Sequence, residues 1–252
     1  RAPRAPLALL QLAMLKALLL GCLAVPSASA RLTAHRAPAI LSASPAGLRG
    51  GRACATVVEP SAEPLLRIGH GYDIHRMASR EEAGQPVIIG GVKFDGSDAP
   101  DFNLGCVAHS DGDVVYHSVT DAILGALSMP DIGQLFPDND PRLKGADSEV
   151  FMEEAYERMV GRGYRVGNVD VTVICQKPRI NVEHAGGQVK ARMSANLARL
   201  LRVPLGRVNV KARTHELVDS VGECRALECH VVLVMERDPA AGAAAGAAPV
   251  EV

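Results

Sequence analysis

Between Leu65 and Arg237 this chain switches repeatedly between the two-residue period of a strand and the 3.6-residue period of a helix. That switching limits the fold more than any other feature. Val169, Val171 and Val173 alternate with polar neighbours, which predicts a strand over Asn168 to Cys175. Strands are also predicted over Leu65 to Ile74, Val208 to Thr214 and Ala226 to Arg237, with a hairpin over Val87 to Phe94 bent at Gly90-Gly91. Helices are predicted over Asp111 to Leu127, Ser148 to Val160 and Gly187 to Leu201. Val114, Val115, Ile123, Leu124 and Leu127 supply the apolar positions of the first. Ser148 is placed to N-cap the second, with Gly161 and Gly163 as its stop, and Pro204 ends the third. The result is a single α/β domain, an about four-stranded sheet with helices on one face. The second face of such a sheet is left apolar and usually packs on another subunit, so a homo-oligomer is expected.

Composition marks out where this domain lies. The first 58 residues carry seven Lys/Arg and no Asp or Glu. Leu7 to Val25 is almost wholly apolar and is followed by Pro26 and Ala28-Ser29-Ala30. A basic start, an apolar run and a small-x-small end read as a secretory signal peptide over residues 1–30. A membrane anchor is the rival for a run that approaches the ~20 residues needed to span a bilayer. Lys16 and the Ala-Ser-Ala end favour cleavage. Residues 31–62, rich in Ala, Arg and Ser, have the composition of a transit peptide. Together they predict delivery to the stroma of a plastid with extra bounding membranes. The folded body is then residues 63–238, and 239–252 is an Ala/Gly-rich tail expected to be disordered. From residue 59 onward the net charge is −8, so neither nucleic acid nor, in the mature form, a membrane is an expected partner. The body's four Cys form no CxxC pair, which argues for reduced thiols and against a structural zinc site.

The candidate chemistry lies in two short segments. In Asp73-Ile-His75 the Asp and His are two apart and share one face of a strand. In His109-Ser-Asp-Gly-Asp-Val-Val-Tyr-His117 and onward, Asp113, His117 and Asp121 fall at i, i+4 and i+8, near one face of a helix. Asp73, His75 and His117 are a ligand set for an open divalent-metal site. Either pair alone reads as ordinary surface residues; two pairs flanked by further Asp and Gly favour the metal. The Gly/Pro/Asp-rich stretch Asp131 to Pro141 is either a solvated turn or a loop that holds a polyol. Lys211-Ala-Arg-Thr-His-Glu216 is either a strand end running into solvent or a site where Glu216 holds a second cation and Thr214 bonds a phosphate. The chain has no Walker A, no GxGxxG and no Ser or Cys nucleophile motif. The residues therefore indicate a metal-dependent enzyme acting on phosphates or diphosphates.

Arg67-Ile-Gly-His-Gly-Tyr-Asp-Ile-His75, Ile89-Gly-Gly-Val92, Ala108-His-Ser-Asp-Gly-Asp-Val114, Asp131-Ile-Gly133, Phe136-Pro-Asp138, Lys144-Gly-Ala-Asp-Ser148, Gly167-Asn-Val-Asp-Val171 and Asn209-Val-Lys-Ala212 resemble the 2-C-methyl-D-erythritol 2,4-cyclodiphosphate synthase family of the non-mevalonate isoprenoid pathway. The likeness runs from about Leu66 to Met235, and Lys211 to Arg225 is most like the plastid forms. It implies a homotrimer packed through the sheets, with active sites between subunits. It also implies metal-dependent ring closure of a cytidine diphosphate substrate with release of CMP. By this resemblance Asp73, His75 and His117 hold Zn²⁺ or another divalent metal, and Glu216 helps place Mg²⁺ or Mn²⁺ on the diphosphate. His109 and Thr214 steady the transition state. Asp131, Ile132, Gly133, Phe136, Asp138 and Asp140 hold the methylerythritol phosphate side, and Ser110 is a further substrate-binding residue. Cys175, Lys177, Pro178, Arg179, Ile180 and Ala212 take the nucleotide, and Arg213 and Arg225 add substrate contacts. The loop from Leu217 to Arg225 is about two residues shorter than the bacterial pattern and lacks its aromatic, so Arg225 is the candidate for that pattern's Arg. A metal-dependent phosphohydrolase and a non-catalytic trimeric binder of isoprenoid diphosphates are the alternatives.

Overall fold

The computed structural model of the protein describes residues 63–96, 102–184 and 187–240. The proposed signal and transit segments and nearly all of the tail lie outside them. Two glycines set the architecture. Gly69 and Gly71 lie on strand β1 (Leu66–Ser79), and a Cβ at either would sit 1.8 Å from a backbone oxygen, that of Ala122 or Ser118. Both oxygens belong to helix α2 (Val114–Ala126), which follows the short helix α1 (Arg80–Ala83). Only a strand bare of side chains here lets α2 lie directly on the sheet.

The hairpin β2 (Val87–Ile89) and β3 (Val92–Phe94) is followed by β4 (Leu104–Val107). After α2 come a four-residue helix α3 (Ile132–Leu135) and helix α4 (Glu149–Gly161). β5 (Tyr164–Ile174), a minor ribbon β6 (Glu183–His184) and β7 (Gly187–Gln188), and helix α5 (Val189–Leu200) follow. β8 (Val208–Arg213), a short helix α6 (Asp219–Gly222) and β9 (Ala226–Arg237) complete the described chain. The main sheet has five strands in the order β4-β1-β9-β5-β8, antiparallel except for the parallel pair β5 and β8.

The expectation of about four strands is corrected to five. β1 continues to Ser79 and does not stop at Ile74, and β4 pairs with that extension, Arg76 opposite Val107 and Ser79 opposite Leu104. The polar Arg76 and Ser79 hid the extension, and β4 is only four residues long.

Side-chain alternation separates the faces. On β5 and β9, Val169, Val171, Val173, Leu227, Cys229, Val231, Leu233 and Met235 are buried beneath the helices with Ile123, Met152, Met159, Met193 and Leu197. On the opposite face Ile68, Tyr72, Ile74 and Val232 remain exposed. That face is less apolar than expected. It also carries His70 and His230 in ring contact, and Lys211 Nζ bonds Asp170 Oδ2 at 2.5 Å. The four body cysteines are unpaired, and no helix among the described residues is long and apolar enough to cross a membrane.

Candidate active site

β1 and the start of α2 build the site. On β1 the odd-numbered positions face the helices, so Asp73 and His75 continue the side that Gly69 and Gly71 leave open to α2. α2 begins at Val114 because Asp113 is its N-cap, accepting from Val115 N (3.0 Å) and Tyr116 N (3.2 Å). The same carboxylate accepts from Gly90 N (2.9 Å) and Gly91 N (2.6 Å) at the β2–β3 turn. Asp113 is therefore a buried clamp between hairpin and helix, and the expectation that it shares the metal-facing side of α2 is corrected. His117, in the first turn of α2, does face β1.

His117 Nδ1 lies 3.0 Å from Asp73 Oδ2, His75 Nε2 lies 3.1 Å from the same oxygen, and the two ring nitrogens are 3.1 Å apart. Protons cannot satisfy all three edges of this triangle. If both rings donate to Asp73, two N–H groups face each other. If His75 donates to His117, the bare Nδ1 faces a carboxylate. One cation satisfies every edge. Ligand bonds of 2.0–2.1 Å in a tetrahedral site put donors about 3.3 Å apart, close to the spacing here. The three residues are the candidate metal group among the described residues. Burial alone would raise the Asp73 carboxyl, but hydrogen bonds from His117 and His75 outweigh it and hold it well below the usual carboxylate range. Asp73 is thus ionised at any working pH. Burial would lower His117, yet its hydrogen bond with Asp73 and the charges of Asp73, Asp113 and Asp111 raise it overall.

A 520 Å³ cleft opens over this group. Its walls include His109, Ser110, Ile132, Gly133, Phe136 and Asp138 from the sequence-derived set. Val107, Leu143 and Phe151 also line it and were not foreseen. Phe151 bridges the parts, 5.7 Å from the His117 ring and 4.7 Å from that of Phe136. Asp121 accepts from Ile132 N at 2.7 Å and so ties the 131–133 loop to α2. Asp131 caps α3 through Gln134 N (3.0 Å). Asp140 is paired with Arg142 (2.6 Å), which holds its carboxyl down to about 2, and its carbonyl lies 3.2 Å from His109 Nε2.

A second cleft, 420 Å³, is lined by Cys175, Lys177, Pro178, Arg179, Ile180, Ala212, Arg213 and Thr214, among others. The Cys175 thiol donates to Pro178 O at 3.4 Å, and burial pushes it up to about 12, so it is no nucleophile. Thr214 Oγ1 donates to Glu216 Oε1 at 3.2 Å. Glu216 lines neither cleft and stands apart from the Asp73 group within one chain. Arg225 lines neither cleft as well; its guanidinium pairs with Glu223 at 2.6 Å.

The model of the YgbB family matches residues 66–236, all but the last residue of the sheet, with its helices. A chloroplastic 2-C-methyl-D-erythritol 2,4-cyclodiphosphate synthase from Oryza sativa subsp. japonica is 48% identical over 202 residues, covering 80% of this chain and 83% of the relative. The chain belongs to the YgbB family. A chloroplastic synthase from Arabidopsis thaliana is 47% identical over 180 residues, 71% of each chain. Among solved structures, IspF from Plasmodium falciparum in complex with CDP matches with a TM-score of 0.57 at 34% identity, covering 70% of this chain and 99% of that one. In this YgbB chain the candidate metal group and the 175–180 segment line separate clefts.

Proposed function

We infer that this protein converts 4-diphosphocytidyl-2-C-methyl-D-erythritol 2-phosphate to 2-C-methyl-D-erythritol 2,4-cyclodiphosphate and CMP. The observation that carries this reading is the triangle of Asp73, His75 and His117 at the floor of a cleft, within a domain that matches the YgbB family from end to end. The 2-phosphate of the substrate attacks the β-phosphorus of its own cytidine diphosphate. A new P–O bond closes the ring, and the bond to the α-phosphate breaks and releases CMP. Asp73, His75 and His117 would hold Zn²⁺ and Glu216 would help hold Mg²⁺ or Mn²⁺, and these ions would supply charge neutralisation on the phosphates. The protein's own part is to hold the two phosphates in line, so proximity takes the place of a nucleophile.

The 131–140 loop holds the methylerythritol end against Ile132, Phe136 and Asp138. His109 and Thr214 bond the phosphate oxygens as charge builds. The 175–180 segment with Ala212 and Arg213 takes the nucleotide. Because these two groups line separate clefts in one chain, the working site combines one cleft from each of two subunits in a homotrimer packed through the bare sheet face. The chloroplastic relatives support a plastid location, reached by the two-part leader of residues 1–62. Product analysis tests the reaction. Equimolar CMP and cyclic diphosphate, with no inorganic phosphate, is expected. Inorganic phosphate would mean a phosphohydrolase, and no turnover a binder.

Sharing between subunits has its own test. A His75→Ala chain and a Lys177→Glu/Arg179→Glu chain are each expected to be inactive as homotrimers. In an equal random mixture, about one quarter of interfaces join an intact metal group to an intact nucleotide segment, and that fraction of activity is expected back. Verified mixed oligomers that stay inactive would mean that each site forms within one chain.

A further inference from the structure

Both ring nitrogens of His117 are engaged. Nδ1 faces Asp73 and His75, while Nε2 lies 2.9 Å from Ser148 Oγ and 3.2 Å from Ser110 Oγ. Ser148 Oγ in turn makes a short hydrogen bond to Asp111 Oδ1. A carboxylate only accepts, so the Ser148 proton points to Asp111. The Ser148 oxygen is then an acceptor toward His117, and Nε2 carries the proton. That tautomer leaves Nδ1 with a free lone pair on the side of Asp73 and His75. We propose that Ser148 and Asp111 are positioning residues which fix the tautomer and rotation of His117, and so make its Nδ1 a metal ligand. The proposal rests on the reading of Asp73, His75 and His117 as a metal site.

Ser148 occupies the N-cap position of α4, yet its side chain makes no capping bond. Asp147 instead accepts from Glu149 N at 2.9 Å. A fully buried serine has thus given up the usual use of its position and turned toward a residue on another helix. Asp111 is itself locked. Its Oδ1 accepts from Asp113 N (3.1 Å), its Oδ2 from Ser148 N (3.2 Å), and its own N donates to Ala146 O (3.0 Å). The chain of bonds therefore runs from a fixed carboxylate to the ring. Carboxylate partners of ligating histidines act in this way, and their loss typically weakens metal binding by about 10- to 100-fold.

The test is a zinc titration of the purified, metal-stripped protein against a competing chromophoric chelator, with thermal unfolding of the stripped protein alongside. Ser148→Ala is expected to weaken zinc binding by about 10- to 100-fold with little change in metal-free melting temperature. Asp111→Asn, nearly the same shape, is expected to weaken it by about tenfold, and it carries the test if Ser148→Ala does not fold. Wild-type affinity in both variants would overturn the proposal while leaving the metal site intact. A wild-type protein that binds no divalent ion would overturn the metal-site reading itself.

Discussion

His117→Ala is expected to lose its metal and to reduce CMP release by at least about 10³-fold while keeping its fold. His117 is one of the three donors of the candidate metal group, and the two that remain would leave an ion half solvated. A metal acting on phosphoryl oxygens is worth several kcal/mol of transition-state stabilisation, which corresponds to about 10³ or more in rate. No neighbour can take its place. Asp113 is occupied by Gly90 N and Gly91 N, Asp121 by Ile132 N, and Asp111 by Ser148. The fold survives because α2 is held by its cap and by Val114, Val115, Val119, Ile123 and Leu124, all buried. Elemental analysis, CMP release and circular dichroism on one preparation check the three parts. Full metal content with full turnover would remove the assignment.

Gly71→Ala should be, with Gly69→Ala, among the most damaging single methyls in the domain. Its Cβ would lie 1.8 Å from Ser118 O and 3.0 Å from Ala122 N, so backbone rather than a flexible side chain must move. α2 cannot retreat cheaply. Asp113 pins its start to the hairpin, and Ser118 Oγ reaches across to Cys229 O at 3.3 Å on β9. Ordinary overpacking costs about 1–3 kcal/mol, and a clash with fixed backbone belongs to the exceptional class above about 4 kcal/mol. For a domain of this size that is a fall in Tm of about 8–16 °C. Asp73 is two residues away and His117 precedes Ser118, so any shift of α2 would also spread the candidate metal donors. Thermal unfolding with zinc titration reads both effects. A variant within about 1 kcal/mol of wild type would mean that α2 does not lie on β1 as described.

The elements with a clean period were legible in the sequence. β9 begins and ends where its alternation predicts, and Asp73 and His75 share a face because a strand repeats every two residues. Polar strand ends and short pairs were not legible. β1 runs on through Arg76 to Ser79, and its last residues are held by β4, a contact nearly thirty residues away. Asp113 has the right spacing from His117 for a shared helix face, yet it precedes the helix and is consumed in capping. Spacing alone cannot report where a helix starts. Asp111 and Ser148 lie 37 residues apart, and only the folded chain brings Ser148, with Asp111 behind it, to one ring nitrogen. Ser148 was readable as a cap by position, but its side chain went elsewhere.

Dependence of the ring closure on a metal held by Asp73, His75 and His117 is open to direct test. Stepwise return of zinc to the metal-stripped protein, with saturating magnesium and substrate and CMP as the readout, addresses it most directly. Turnover should be absent at the start, rise in proportion to zinc, and level off at one ion per chain; His75→Ala should show no rise. Turnover at full rate with no metal at the Asp73 group would contradict it.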